Sequence, residues 1–178
     1  MKRALIVVDF QNDFVDGSLG FENADRLDKI IREKIEYALE RGDDLYFTKD
    51  THEEDYLDTH EGKNLPTPHC IKGTKGHDIY GSVADYEEKA KRVFEKPTFP
   101  SLDLANLLKR TDYDEVELCG LVSNICVLSN AVMVKAALPE AKIIIDRQAT
   151  DSFDPELHEK AFDVMEGLQI NIKGDDDA

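Results

Sequence analysis

Apolar and polar positions alternate along this chain in two distinct rhythms. Residues 3–10 (RALIVVDF) form a continuous apolar run rich in β-branched side chains, the pattern of a strand buried on both faces. Leu27, Ile30, Ile31, Ile35, Ala38 and Leu39 then recur at three- and four-residue spacing. That spacing predicts an amphipathic helix over residues 25–41, with Gly42 as its C-terminal stop. Further strands are predicted at 45–49, 92–95 (RVFE), 116–119, 142–146 (KIIID) and 168–172. Helices are predicted at 102–110, 125–137 and 155–165, the last with Pro155 near its first position. Between residues 50 and 82 no period is sustained, and a connection of that length reads as a lid or binding loop.

Strands alternating with helices predict an α/β fold: one domain with a mainly parallel six-stranded sheet and helices on both faces. The domain is expected to span residues 1–174, followed by an acidic tail at 175–178 (DDDA) that has nothing to anchor it. In such sheets ligands bind beyond the carboxyl ends of the strands. Asp9 ends the first strand, Asp50 follows the second, Lys96 follows the third, and Cys126 lies just beyond the fourth. All four are therefore expected on one edge.

Composition narrows the function classes. The chain has 178 residues, 41% of them hydrophobic, enough for one folded core. Twenty-two basic against 38 acidic side chains give a net charge of -16, which opposes a nucleic-acid or anionic-membrane partner. No apolar run reaches membrane-spanning length, and Met1-Lys2-Arg3 leads into a strand rather than a signal peptide. Cys70, Cys119 and Cys126 make no disulfide framework and no CxxC pair, which points to the reducing cytoplasm.

The chemistry centres on residues 118–127 (LCGLVSNICV), read as strand, turn, and a cysteine where the next helix begins. Unpaired helix N–H groups there favour a thiolate and could hold an oxyanion, although Cys126 taken alone fits a small core residue better. Asp9 could accept the thiol proton and return it to a leaving amine, and Lys96 could stabilise both charges. Taken singly, Asp9 also fits a strand terminator and Lys96 a solvated loop lysine. Gln11 and Phe14 could face a small substrate, and Phe14 fits the core equally. The long loop holds Asp50, His52, His60, Glu61 and His69. Asp50 and His52 are two apart, so an extended chain points them to the same side. Imidazoles with carboxylates suit zinc, iron or manganese, and solvated loop histidines are the plain alternative.

The segments VVDFQNDFV (7–15) and GLVSNICV (120–127), with Lys96 between them, resemble the isochorismatase-like cysteine hydrolases, and among them the nicotinamidases. The resemblance spans residues 4–172 and implies a three-layer α/β/α fold with Asp9, Lys96 and Cys126 as the catalytic triad. It implies a cis peptide between Leu121 and Val122, with the N–H groups of Val122 and Cys126 receiving the oxyanion. It implies one divalent ion, zinc ahead of iron or manganese, on Asp50, His52, His69 and an intermediate residue, here Glu61 in preference to His60. The glycine-punctuated stretch 70–76 is also similar to this subgroup. One departure is Leu65-Pro66-Thr67-Pro68, where some members have an aromatic residue before the metal histidine. Ring packing would then fall to Phe14, Leu65, Phe99 or Val127. The implied activity is hydrolysis of nicotinamide to nicotinate and ammonia through a cysteine thioester, within pyridine nucleotide salvage. The alternatives are a cysteine hydrolase of another small amide or carbamoyl compound, and a catalytically silent binding domain. The resemblance also implies a homo-oligomer.

Overall fold

In the computed structural model, which describes residues 1–174, the first apolar run becomes an inner strand, β1 (Arg3–Val8). The acidic tail expected at 175–178 lies outside the described residues. Ala4, Ile6 and Val8 pack on one side of β1 while Leu5 and Val7 pack on the other, so the run is apolar because both faces are covered. The remaining strands are β2 (Asp44–Asp50), β3 (Arg92–Lys96), β4 (Glu115–Leu121), β5 (Lys142–Asp151) and β6 (Asn171–Lys173). They form one six-stranded sheet in the order β3-β2-β1-β4-β5-β6, and every pairing is parallel.

The helices are α1 (Asn12–Val15), α2 (Leu27–Glu40), α3 (His60–Asn64), α4 (Leu102–Leu108), α5 (Leu128–Ala137) and α6 (Pro155–Gly167). Leu27, Ile31, Ile35 and Ala38 of α2 bury against Leu5, Val7 and Phe47 on one face of the sheet. Leu104 and Leu108 of α4, Ala131 and Val134 of α5, and Phe162 and Met165 of α6 cover the other. The chain winds outward from β1 to β3, then returns to add β4 on the opposite side of β1. That reversal opens a crevice between the carboxyl ends of β1 and β4, where doubly wound folds place their ligands. Gly120 lets the two strands close there: its φ is +113°, and a Cβ would lie 2.0 Å from the Val8 carbonyl oxygen.

Several boundaries move for physical reasons. The first long helix begins as a 3₁₀ turn (Ala24–Arg26) before α2. The helix expected from residue 125 starts earlier, as a wide π-helical turn (Ser123–Val127) that α5 continues. β5 runs five residues beyond its apolar core to Asp151, past a register shift opposite Leu118 and Gly120, so its polar second half carries no strand pattern. α6 extends to Gly167, which pushes β6 to Asn171–Lys173. The segment without a period is ordered by 3₁₀ turns at Tyr56–Asp58, Lys75–His77 and Gly81–Lys89, and by α3. No helix among the described residues is long and apolar enough to cross a membrane.

Candidate active site

The carboxyl ends of β1, β3 and β4 bring Asp9, Lys96 and Cys126 together. Asp9 follows β1 with φ of +46°, a left-handed conformation unusual for a non-glycine residue. Its Oδ1 accepts a hydrogen bond from Thr48 Oγ1 at 2.6 Å, and its Oδ2 lies 2.6 Å from Lys96 Nζ. The same ammonium lies 3.7 Å from Cys126 Sγ and donates to the Thr98 carbonyl at 3.1 Å. Asp9 is fully buried, and Lys96 and Cys126 are nearly so. Burial raises the Asp9 carboxyl above its ordinary range, against the pull of Lys96. Burial opposes the charge on Lys96, but the carboxylates of Asp9 and Asp50 outweigh it and raise the ammonium above its ordinary range.

Burial also pushes the Cys126 thiol well above its ordinary value, with Lys96 pulling down and Asp9 pushing up. The expectation of a thiolate stabilised at a helix start is therefore corrected for the resting site. Desolvation outweighs the pull of Lys96, and Cys126 sits inside the π turn rather than at its first residue. A base is then required, and a carboxylate with a raised pKa is a stronger one. The Leu121–Val122 peptide, between β4 and this turn, is cis.

Beside these three residues, Asp50 at the end of β2, His52, Glu61 and His69 converge, with one donor atom from each within 4.8 Å of the others. His52 Nε2 and His69 Nε2 lie 3.0 Å and 3.2 Å from Asp50 Oδ2, and each lies 3.6 Å from Glu61 Oε1. Burial would raise the Asp50 carboxyl, but His52, His69 and Lys96 hold it well below the usual range. Glu61 is raised by burial and by the charge of Asp50. Burial would lower His69, but bonds to Asp50 and to the Thr67 carbonyl raise it.

The donor chemistry fits a cation. His69 Nδ1 donates to the Thr67 carbonyl at 2.8 Å, so the neutral ring presents a bare Nε2 toward two carboxylates. Acceptors facing acceptors need a positive charge between them. Three carboxyl groups, Asp9, Asp50 and Glu61, surround one Lys96 ammonium, an excess of acidic groups that one divalent ion would offset. Two imidazoles and two carboxylates suit zinc, iron or manganese. Tyr56 packs edge-on against His52 and His69, with centroids 4.8 Å and 5.0 Å away, and its hydroxyl donates to the Leu65 carbonyl at 2.8 Å.

Glu61 joins the cluster, whereas His60 is exposed on an outer cleft. Successive residues of α3 point about 100° apart, so only one of the pair can face inward. Cys70 stays outside the cluster, and its thiol is pushed up by burial and by Asp50.

A cavity of about 370 Å³ reaches both groups, touching Cys126 and Val122 on one side and Asp50, Glu61 and His69 on the other. Phe14, Leu65 and Phe99 line it, and Phe14 tilts against His69 with centroids 5.6 Å apart. Three larger surface clefts, of about 650, 660 and 610 Å³, do not reach Cys126, so chemistry rather than size selects the site.

Two residues expected at the substrate lie elsewhere. Gln11 is fully buried: its Nε2 donates to the Asp50 and His77 carbonyls at 2.9 Å, and its Oε1 accepts from Asp50 N at 2.7 Å. Its amide is consumed in fixing the Asp50 backbone. Val127 is fully buried in the core under α5 and does not line the cavity. Phe153 and Ile125 line the cavity and were not singled out from the sequence. The available signal for Phe153 was an aromatic in a polar stretch at the carboxyl edge of the sheet, hidden because β5 reads as ending at 146.

The isochorismatase domain matches this chain over residues 3–172. A curated relative, the nicotinamidase/pyrazinamidase of Mycobacterium tuberculosis, is 30% identical over 170 residues, covering 85% of this chain and 89% of its own. The crystal structure of the nicotinamidase/pyrazinamidase PncA from Bacillus subtilis superposes with a TM-score of 0.87 at 33% identity, covering 98% of this chain and all of that one. The pyrazinamidase of Pyrococcus horikoshii, solved in complex with zinc, superposes with a TM-score of 0.85 at 27% identity, again over 98% and 100% of the two chains.

Proposed function

The chain belongs to the isochorismatase family, and from that premise we propose that it is a metal-containing amidohydrolase that converts nicotinamide to nicotinate and ammonia through a cysteine thioester. The observation that carries the reading is Lys96: its ammonium lies 2.6 Å from Asp9, 3.7 Å from Cys126 and 3.6 Å from Asp50, joining a nucleophile and base to a set of metal donors. Asp9 takes the thiol proton as Cys126 Sγ attacks the amide carbon, and Lys96 balances the charge that develops. The N–H groups of Val122 and Cys126 receive the oxyanion. The proton on Asp9 passes to the leaving nitrogen, and ammonia departs. Asp9 then deprotonates a water that attacks the thioester, releasing nicotinate and restoring the thiol.

Asp50, His52, Glu61 and His69 would hold the divalent ion, zinc ahead of iron or manganese. When bound, the ion supplies a Lewis acid that can take a pyridine nitrogen. Phe14, Leu65 and Phe99, with Phe153, pack the ring in place of the aromatic that some relatives carry before the metal histidine. Residues 1–174 act as one domain of a cytoplasmic enzyme that self-associates and has neither a nucleic-acid nor a membrane partner.

The test is ammonia release from nicotinamide, benzamide and simple carbamoyl amides by the metal-loaded protein. Benzamide has the same shape and lacks the ring nitrogen, so its kcat/KM is expected to fall about a hundredfold or more when the polar anchor goes unpaired. Equal rates on the two would remove metal anchoring. Activity on the carbamoyl compounds alone would move the chain to another small-amide hydrolase. No activity, with an unreactive thiol, would indicate a silent binding domain.

A further inference from the structure

Asn130 on α5 has an apolar setting: Val127, Ala131 and Val134 of the same helical stretch lie in the core, and Asn130 itself has 0% exposure. A buried amide lowers stability relative to an apolar side chain unless its polar atoms are bonded. Here they are. Nδ2 donates to the Cys126 carbonyl at 2.8 Å and to the Phe99 carbonyl at 3.2 Å, and Oδ1 accepts from Ser101 N at 2.9 Å. One side chain thus joins the backbone of the nucleophile to the segment 96–101, which carries both Lys96 and Phe99.

That segment (KPTFPS) has few other ways to be held. Pro97 and Pro100 have no N–H to donate. Its start is tied by Lys96 Nζ to the Thr98 carbonyl, and its end by the Ser101 hydroxyl capping α4. Between them Asn130 bonds the carbonyl of Phe99, a cavity wall, and the amide two residues on. Only a short side chain with both a donor and an acceptor can make this bridge; Asp lacks the donor and Leu lacks both.

We propose that Asn130 is a positioning residue that fixes the Lys96–Phe99 segment against Cys126, setting the ammonium-to-sulfur contact and the cavity wall together. For turnover this rests on the amidase reading, but alkylation of Cys126 reports the same geometry without any substrate. The test is Asn130→Leu, of similar volume, in the metal-loaded protein, with folding checked by circular dichroism. Displacing the segment by a fraction of an ångström is expected to lower kcat roughly ten- to a hundredfold and to raise KM as Phe99 loosens. The pH profile of Cys126 alkylation by iodoacetamide is expected to move upward as Lys96 draws away.

A lower melting temperature with unchanged alkylation profile, kcat and KM would overturn the proposal, leaving Asn130 as a core hydrogen bond only. If Asn130→Leu does not fold, Asn130→Ala, where water can enter, is read by the same measurements, and wild-type values in it would equally overturn the assignment. If the wild-type protein turns over no amide, the amidase reading fails while the alkylation comparison still decides the role of Asn130.

Discussion

Lys96 is the residue at which the two halves of the site meet, because its ammonium contacts Asp9, Cys126 and Asp50. A thiol whose pKa burial pushes up needs a base to attack, so Cys126 and Asp9 should behave as one unit. Cys126→Ala and Asp9→Asn are each expected to lower ammonia release roughly a thousandfold or more, and the double variant should be little worse than either. Substantial turnover by purified Cys126→Ala would exclude the thioester. The chemistry-bearing residues were legible because four groups of complementary chemistry fell on one edge of the sheet. Their supports were not. Gln11 reads as a substrate contact, yet its amide is spent on the Asp50 backbone, and nothing in a linear sequence shows that a peptide group 39 positions away needs that bond. Thr48, which bonds Asp9, lies unremarked inside an apolar strand.

Among the elements, α3 has a weight out of proportion to its five residues, since it turns Glu61 inward and His60 outward. Its start is set by Thr59, whose Oγ1 accepts from Gly62 N at 3.0 Å and donates to the Tyr56 carbonyl at 2.6 Å. Thr59→Ala is expected to lower stability by about 1 kcal/mol as the cap is lost. Because the lost cap frees Glu61, the variant should also release its metal to a chelator sooner than the wild type, measured by elemental analysis after timed dialysis. Metal retention equal to wild type would mean that Glu61 is held by other contacts or is not a ligand. The long elements were legible from their period; α3 was not, because five polar residues carry no apolar stripe. The same holds for the second half of β5, whose pairing beyond the irregularity depends on β4 rather than on its own pattern.

For the molecule as a whole, alternation of strand and helix sufficed to predict a parallel sheet, but not which strand lies beside which. Placing β4 next to β1 is what brings Cys126 to Asp9, and that adjacency depends on Gly120 fitting against Val8, a contact visible only in three dimensions. The same packing makes stability depend on pH through two histidines outside the site. His77, bonded to Thr51 Oγ1 at 2.8 Å, is lowered by burial and by Lys49. His158, bonded to Ser123 Oγ at 2.7 Å, is lowered by burial and by Arg147 and Arg26. In the unfolded chain both titrate near 6.5. Between that value and the lower folded ones the unfolded chain binds more protons, so their contribution is complete above about pH 6.5 and is lost as the pH falls. His69 works in the opposite sense, since its folded value is raised, so wild-type slopes alone would mix the two. The comparison is therefore between wild type and a His77→Gln, His158→Gln double variant, both stripped of metal by a chelator, with urea midpoints taken from pH 7.5 down to 5. The variant's stability should fall less steeply than that of the wild type, because glutamine takes up no proton on unfolding. Parallel slopes would show that neither imidazole is held neutral by the fold.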